Sequence, residues 1–193
     1  GTFQFTRIGE NNSIPTGLVA DSTGNVYVSY ALTVGGVQQS RVVKYNASGT
    51  FQWRTGYNPT TTNDESFADI AFANGRVFGV GYVRASASKL RPMVAAFDGT
   101  GARVAAEVQT TINGFCRKAL PLGDGRFYAV GTQSDSGPGV ISSLYNPASG
   151  SAAVWNRKAT PGPTNTPVTF DAAIDNWNNL YYAANSTRSD ASG

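Results

Sequence analysis

Histidine is absent from this chain of 193 residues. A Ser-His-Asp or Cys-His catalytic triad is therefore excluded, and so is any metal site that needs imidazole ligands. Only an all-oxygen site remains, and segment 21–25 lacks the D-x-D-x-D-G pattern and the late Glu of a calcium loop, so we interpret it as a turn. We expect no metal and no cofactor.

Cysteine is almost absent as well, because Cys116 stands alone and cannot form an intramolecular disulfide. Its apolar neighbours predict a small buried side chain rather than a reactive thiol. The sequence begins at Gly1 rather than Met, which we interpret as a processed or trimmed end. Few lysines, many Ser, Thr and Asn residues and no cysteine pair fit an exported protein. We therefore expect a bacterial protein that is extracellular or on the cell surface.

Charge is scarce too. Only 14% of residues are charged, and 15 Lys and Arg against 12 Asp and Glu leave a net charge of +3. The cations form no basic run, which argues against a nucleic-acid partner. No apolar run is long enough to span a membrane, which takes about 18 residues or more.

What the chain does contain is a repeat of about fifty residues. A short strand phrase recurs, and its first apolar residues lie 51, 50 and 53 positions apart. These residues are Val26, Val77, Phe127 and Leu180. An internal period of this size indicates repeated supersecondary units.

Each of the first three units predicts four strands joined by Gly- and Asn-rich turns. The predicted strands are 18–20, 26–30, 41–45 and 50–54, then 67–72, 77–83, 93–97 and 103–108, then 116–120, 127–131, 140–145 and 152–156. No segment has the apolar periodicity of a helix. Four-stranded units of this length are typical of blades, so we predict an all-β, β-propeller-like fold.

The motifs of the first unit resemble a known repeat. D-S-T-G-N-V-Y-V at 21–28 and V-K-Y-N-A-S-G-T-F-Q-W at 43–53 resemble bacterial SBBP-type propeller repeats, and more distantly NHL and PQQ-type blades. The resemblance implies an extracellular scaffold of varied role. Its motifs specify turns and packing rather than chemistry.

The two ends of the chain differ in phase. Segment 1–7 copies 49–54, which predicts an out-of-phase outer strand. The fourth unit stops before its third strand, so we count about three and a half four-stranded blades, in units of approximately 1–48, 49–100, 101–149 and 150–193. Either the chain is a fragment of a longer propeller, or another chain supplies the missing strand. The second alternative predicts self-association by strand exchange.

The candidate binding residues are Asp69, Lys118, Asp171 and Trp177. Asp69 and Asp171 match in position on innermost strands, which line a propeller channel, and Lys118 and Gly17 are their equivalents. Such carboxylates either act as acid and base on a carbohydrate or simply cap backbone and water. Trp177 lies in a tight turn, where it either anchors a partner or packs as an ordinary loop aromatic.

Four aromatic residues recur at one position of the second strands, namely Tyr27, Phe78, Tyr128 and Tyr181. We expect them to be a buried core layer rather than a sugar-stacking ring. The leading functional interpretation is a non-catalytic scaffold that presents loops to a protein or glycan partner or for self-assembly. The alternative is a carbohydrate-active enzyme that uses the channel carboxylates.

Overall fold

The computed structural model describes residues 9–134, 139–148, 153–159 and 170–184. Three four-stranded antiparallel sheets follow one another along the chain, and a two-stranded hairpin comes after them. The fold is all-β and propeller-like, as the repeat predicts. The predicted outer strand at 1–7 lies outside the described residues, and the division into four units stays a prediction.

Each sheet is built from consecutive strands, and the first strands of neighbouring sheets contact one another, which places the first strand innermost. Blade 1 contains β1 (Ser13–Ala20), β2 (Val26–Val34), β3 (Val37–Tyr45) and β4 (Phe51–Thr55). Blade 2 contains β5 (Glu65–Ala73), β6 (Arg76–Ser86), β7 (Lys89–Phe97) and β8 (Arg103–Val108). Blade 3 contains β9 (Gly114–Pro121), β10 (Phe127–Gln133), β11 (Gly139–Tyr145) and β12 (Ala153–Ala159). The fourth hairpin contains β13 (Phe170–Ile174) and β14 (Leu180–Ala184).

Several strands are longer than their sequence patterns predict. The segment around Gly35 and Gly36 is a tight hairpin rather than a loop, because both glycines adopt positive φ, at 59° and 84°. This geometry matches the twist of the flanking strands and lets pairing continue to Val34 and Val37.

One turn design joins the first two strands of both blade 1 and the fourth hairpin. In blade 1, Asp21 Oδ1 accepts hydrogen bonds from the backbone N–H groups of Thr23 and Asn25 at 3.0 and 2.9 Å. Its Oδ2 accepts the Tyr27 hydroxyl at 3.2 Å. Asp175 repeats this pattern in the fourth hairpin. The carboxylate therefore serves the turn, as its sequence predicts.

Neighbouring blades pack through two kinds of face. Side chains alternate along a strand, so one face of each blade points to the following blade and the other to the preceding one. We call them the leading face and the trailing face. Tyr27 on the leading face of blade 1 stacks on Phe72 of blade 2, with ring centroids 5.1 Å apart. Phe78 on the leading face of blade 2 stacks on Phe127 of blade 3 at 4.5 Å.

The core-layer prediction is therefore confirmed at two of its four positions. Tyr27 and Phe78 are 2% and 0% exposed, whereas Tyr128 is half-buried. At Tyr181 the prediction is wrong, because that side chain is 58% exposed. Each earlier aromatic is covered by the blade that follows it, and the described residues place no blade over the leading face of the fourth hairpin.

Candidate functional site

The innermost strands carry four register-equivalent positions. Each position pairs with the residue two places after the recurring aromatic on the neighbouring strand. The pairs are Gly17 with Ser29, Asp69 with Val80, Lys118 with Val130, and Asp171 with Ala183. The sequence prediction of equivalence is thus reproduced by the strand register, and we call this set the channel ring.

A β-bulge directly precedes the channel ring on the first three inner strands. The unpaired residues are Thr16, Ala68 and Arg117. Bulges re-aim the side chains that follow them and are frequent beside functional sites. In the described residues β13 pairs without such an irregularity.

Two glycines on the second strands make two of these bulges possible, although the sequence patterns above do not predict them. A Cβ at Gly81 would overlap the Ser66 carbonyl oxygen, and a Cβ at Gly131 would overlap that of Phe115. Both glycines lie three residues after the recurring aromatic. That repeated spacing is the signal from which the bulges could have been inferred.

Asp69 reaches across to the inner strand of the next blade. Its Oδ2 accepts a hydrogen bond from the Ala119 backbone N–H at 3.2 Å. Burial raises the pKa of Asp69, and the Ala119 hydrogen bond and the charge of Lys118 oppose this only in part. The side chain is half-buried on the inner strand β5. Asp69 is therefore the carboxyl of this site that holds a proton most readily.

Lys118 makes the corresponding contact with the fourth hairpin. Its Nζ lies 3.2 Å from Asp171 Oδ1, and the Asp171 side chain is 79% exposed. The pKa of Asp171 is lowered, first by the hydrogen bond from the Ala172 backbone N–H at 2.9 Å and then by Lys118. The structure thus brings Asp69, Lys118 and Asp171 onto three successive inner strands.

Gly17 completes the channel ring without a functional group. A Cβ there would come within 3.1 Å of the Ile70 backbone nitrogen and 3.0 Å of Ser29 Oγ. The glycine therefore lets the inner strands of blades 1 and 2 approach closely. The channel ring has two acids, one lysine and one position without a side chain.

Trp177 does not belong to this cluster. It lies in the turn after β13 and is 81% exposed, whereas Asp171 lies near the opposite end of that strand. A strand rises about 3.3 Å per residue, so the span from Asp171 to Ile174 alone is roughly 10 Å. Its role as an anchor stays a prediction, separate from the channel ring.

A buried carboxyl lies at the start of β5, where the sequence gives no signal of it. Glu65 is fully buried, and its Oε1 accepts hydrogen bonds from the Thr60 backbone N–H and hydroxyl at 2.9 and 2.7 Å. Its Oε2 has no hydrogen-bond partner. Burial raises the pKa of Glu65. Its contacts tie the 57–64 loop to blade 2, so we interpret it as structural.

The described residues offer neither a metal cluster nor a membrane-spanning helix. Across the described ranges, no three or more metal-ligating side chains come together. The same ranges contain no helix of the length and apolarity needed to cross a membrane.

Comparison with known proteins supports the fold. No protein-family model matches the sequence, and no curated protein matches it. Among solved structures, the endo-arabinase from Bacteroides thetaiotaomicron VPI-5482 matches with a TM-score of 0.54. The two chains are 10% identical, and the match covers 91% of this chain and 70% of that one. At this identity the likeness shows a shared propeller-like fold.

Proposed function

We propose that this protein binds a glycan at the channel ring and cleaves a glycosidic bond with Asp69 and Asp171. One observation carries the proposal. The same residue type occupies two register-equivalent positions, and the pKa is raised at Asp69 and lowered at Asp171. Two carboxyl groups whose pKa values are shifted in opposite directions are the usual acid and base of glycoside hydrolysis.

The contacts suggest the role of each group. Asp69 would carry a proton to the glycosidic oxygen, while the backbone N–H groups of Ala119 and Ile70 hold its carboxyl in place. Asp171 remains ionised beside Lys118 and is exposed enough to activate a water molecule. Lys118 is a positioning residue that keeps Asp171 charged. The endo-arabinase likeness supports this proposal at the level of the scaffold and makes arabinan a sensible first substrate.

The test is release of reducing ends from a panel of polysaccharides, with arabinan included. Asp69→Asn should reduce the rate by about 100- to 10,000-fold, the usual contribution of a general acid, while glycan binding persists. Asp98→Asn is the matched control, because Asp98 is a half-buried carboxylate with a lowered pKa in the turn between the outer strands β7 and β8. Equal activity in the two variants would overturn the assignment.

The pH profile provides a second readout. The ionisation of Asp171 should set the acidic limb, and the proton on Asp69 should set the basic limb. Lys118→Met removes the cation that favours the Asp171 carboxylate, so the acidic limb should move to higher pH. An unchanged limb would show that Asp171 is not the base.

A second candidate is the non-catalytic scaffold, and the exposure of Trp177 favours it. Tryptophan is enriched at the centres of binding surfaces, and this one is exposed at a turn tip far from the channel ring. Binding to the same glycan panel without release of reducing ends, and loss of that binding in Trp177→Ala, would favour this function. An extracellular or cell-surface location is part of both proposals, based on composition.

A further inference from the structure

Among the described residues, one packing face at each end of the blade series has no blade over it. On the fourth hairpin this is the leading face, where Tyr181 is 58% exposed and its cross-strand partner Ala173 is exposed beside it. On blade 1 it is the trailing face, where Leu18 is 68% and Phe51 is 56% exposed. Large apolar residues at this exposure are unusual when they form one face of a sheet.

These two faces are the two halves of an interface that the molecule already builds. The residues equivalent to Leu18 on the following blades are Ile70, which is 4% exposed, and Ala119, which is 5% exposed. Each is buried by the leading face of the preceding blade. Leu18 is exposed because the described residues place no blade before it.

The trailing face of blade 1 also has a shape that would receive a sheet. A groove of about 530 Å³ runs along it, and its apolar lining includes Val28, Val43, Tyr45 and Phe51. Tyr45 corresponds to Phe97 and Tyr145, which are 0% and 3% exposed against the preceding blades. The groove is therefore the site where a leading face would dock.

We propose that a second copy of this chain docks here, with its fourth hairpin seated on the trailing face of blade 1. The interface would continue the blade-to-blade packing seen between blades 1, 2 and 3. It would be head-to-tail, so each copy would retain one uncovered half, and association would extend to rings or filaments. The docking depends on packing alone, but a docked copy would also change the surroundings of Asp171, the proposed base.

Light scattering on the purified 193-residue chain tests the proposal. The mass should rise with concentration above the monomer value of 20.3 kDa. Leu18→Lys should block the trailing face of blade 1, and Tyr181→Lys should block the leading face of the fourth hairpin. Each variant alone should therefore remain monomeric. Val104→Lys is the control, because Val104 is 39% exposed on an outer strand of blade 2 and lies on neither end face.

Mixing the two variants makes the test specific. Leu18→Lys retains an intact fourth hairpin and Tyr181→Lys retains an intact blade 1, so an equimolar mixture should form a dimer that does not grow further. If the association were non-specific, mixing the two variants would not restore it. If one face paired with its own copy, one of the variants would still associate alone. Either of these results, or a wild-type chain that remains at the monomer mass, would overturn the proposal.

A third variant guards against a folding defect. Tyr181 donates its hydroxyl to Asp175 Oδ2 at 3.0 Å, so its replacement also disturbs the turn. Ala173→Lys charges the same face and leaves that hydrogen bond in place. Circular dichroism should show native structure in every variant, and Ala173→Lys should prevent association as Tyr181→Lys does. Continued association of Ala173→Lys would contradict the docking geometry.

Discussion

Replacing the recurring aromatic by alanine should lower the free energy of unfolding by very different amounts in blade 2 and in the fourth hairpin. Phe78 is fully buried, and it stacks on Phe127 with a centroid separation of 4.5 Å and an interplanar angle of 23°. Its surroundings include Val80 and Cys116, both buried in the same cluster. Phe78→Ala should therefore lower the free energy of unfolding by about 3–5 kcal/mol, the usual cost of truncating a core Phe. The cavity left by the missing ring should remain open, because the side chains around it belong to two packed sheets and cannot easily move into it.

The matched control is Tyr181→Ala, at the equivalent position of the fourth hairpin. Tyr181 is 58% exposed, and among the described residues its hydroxyl hydrogen-bonds only to side chains of its own exposed turn, so its loss should cost less than about 1 kcal/mol. Urea titration measures both, and with a slope of about 2 kcal/mol/M the Phe78 variant should unfold about 1.5–2.5 M earlier. Dilute protein should be used so that any docked copies separate. Equal shifts in the two variants would refute the inference that coverage by the next blade decides burial.

Two further predictions concern Asp21 and Cys116. Burial alone would raise the pKa of Asp21, but hydrogen bonds from Asn25 and Thr23 lower it from 3.8 to about 2. Its stabilising effect should thus be complete above pH 3.8 and lost as the pH falls through about 2, and Asp21→Asn should flatten the fall of the urea midpoint over that window. An Asn variant with the wild-type slope would contradict this. Cys116 is 1% exposed, and burial raises the pKa of its thiol to about 12, with Glu107 adding to the effect. It should resist thiol reagents in native protein and react after denaturation; rapid native labelling would disprove its burial.

The repeat could be predicted because its turns depend on contacts between residues that are close in the sequence. Asp21 and Asn25 form a turn whose hydrogen bonds join residues two to six positions apart, and such signals survive in the sequence. The register of the channel ring also followed from spacing. Asp69 and Lys118 keep their equivalence because each of their strands carries a bulge at the same place.

The contacts that give the site its chemistry could not be predicted in this way. Asp69 bonds to a backbone group 50 residues away, and Lys118 meets a carboxylate on another blade. No local pattern encodes which residues of successive blades approach each other. For the same reason the sequence predicted Tyr181 to be buried. A repeat specifies what each copy presents, but the exposure of that surface depends on the neighbour that covers it.

The channel ring illustrates how strongly this neighbour decides chemistry. Asp69 and Asp171 are the same residue type in the same register, yet burial raises the pKa of one, whereas the other is exposed and has a lowered pKa. The difference arises because blade 3 packs against Asp69, whereas the described residues place no blade over the leading face of the fourth hairpin, where Asp171 lies. A copy docked on that face would bury Asp171 as blade 3 buries Asp69, and the hydrogen bond from the Ala172 N–H and the contact with Lys118 would both oppose the resulting rise in its pKa. The pKa difference between the proposed acid and the proposed base therefore depends on the exposure of the same face that a docked copy would cover.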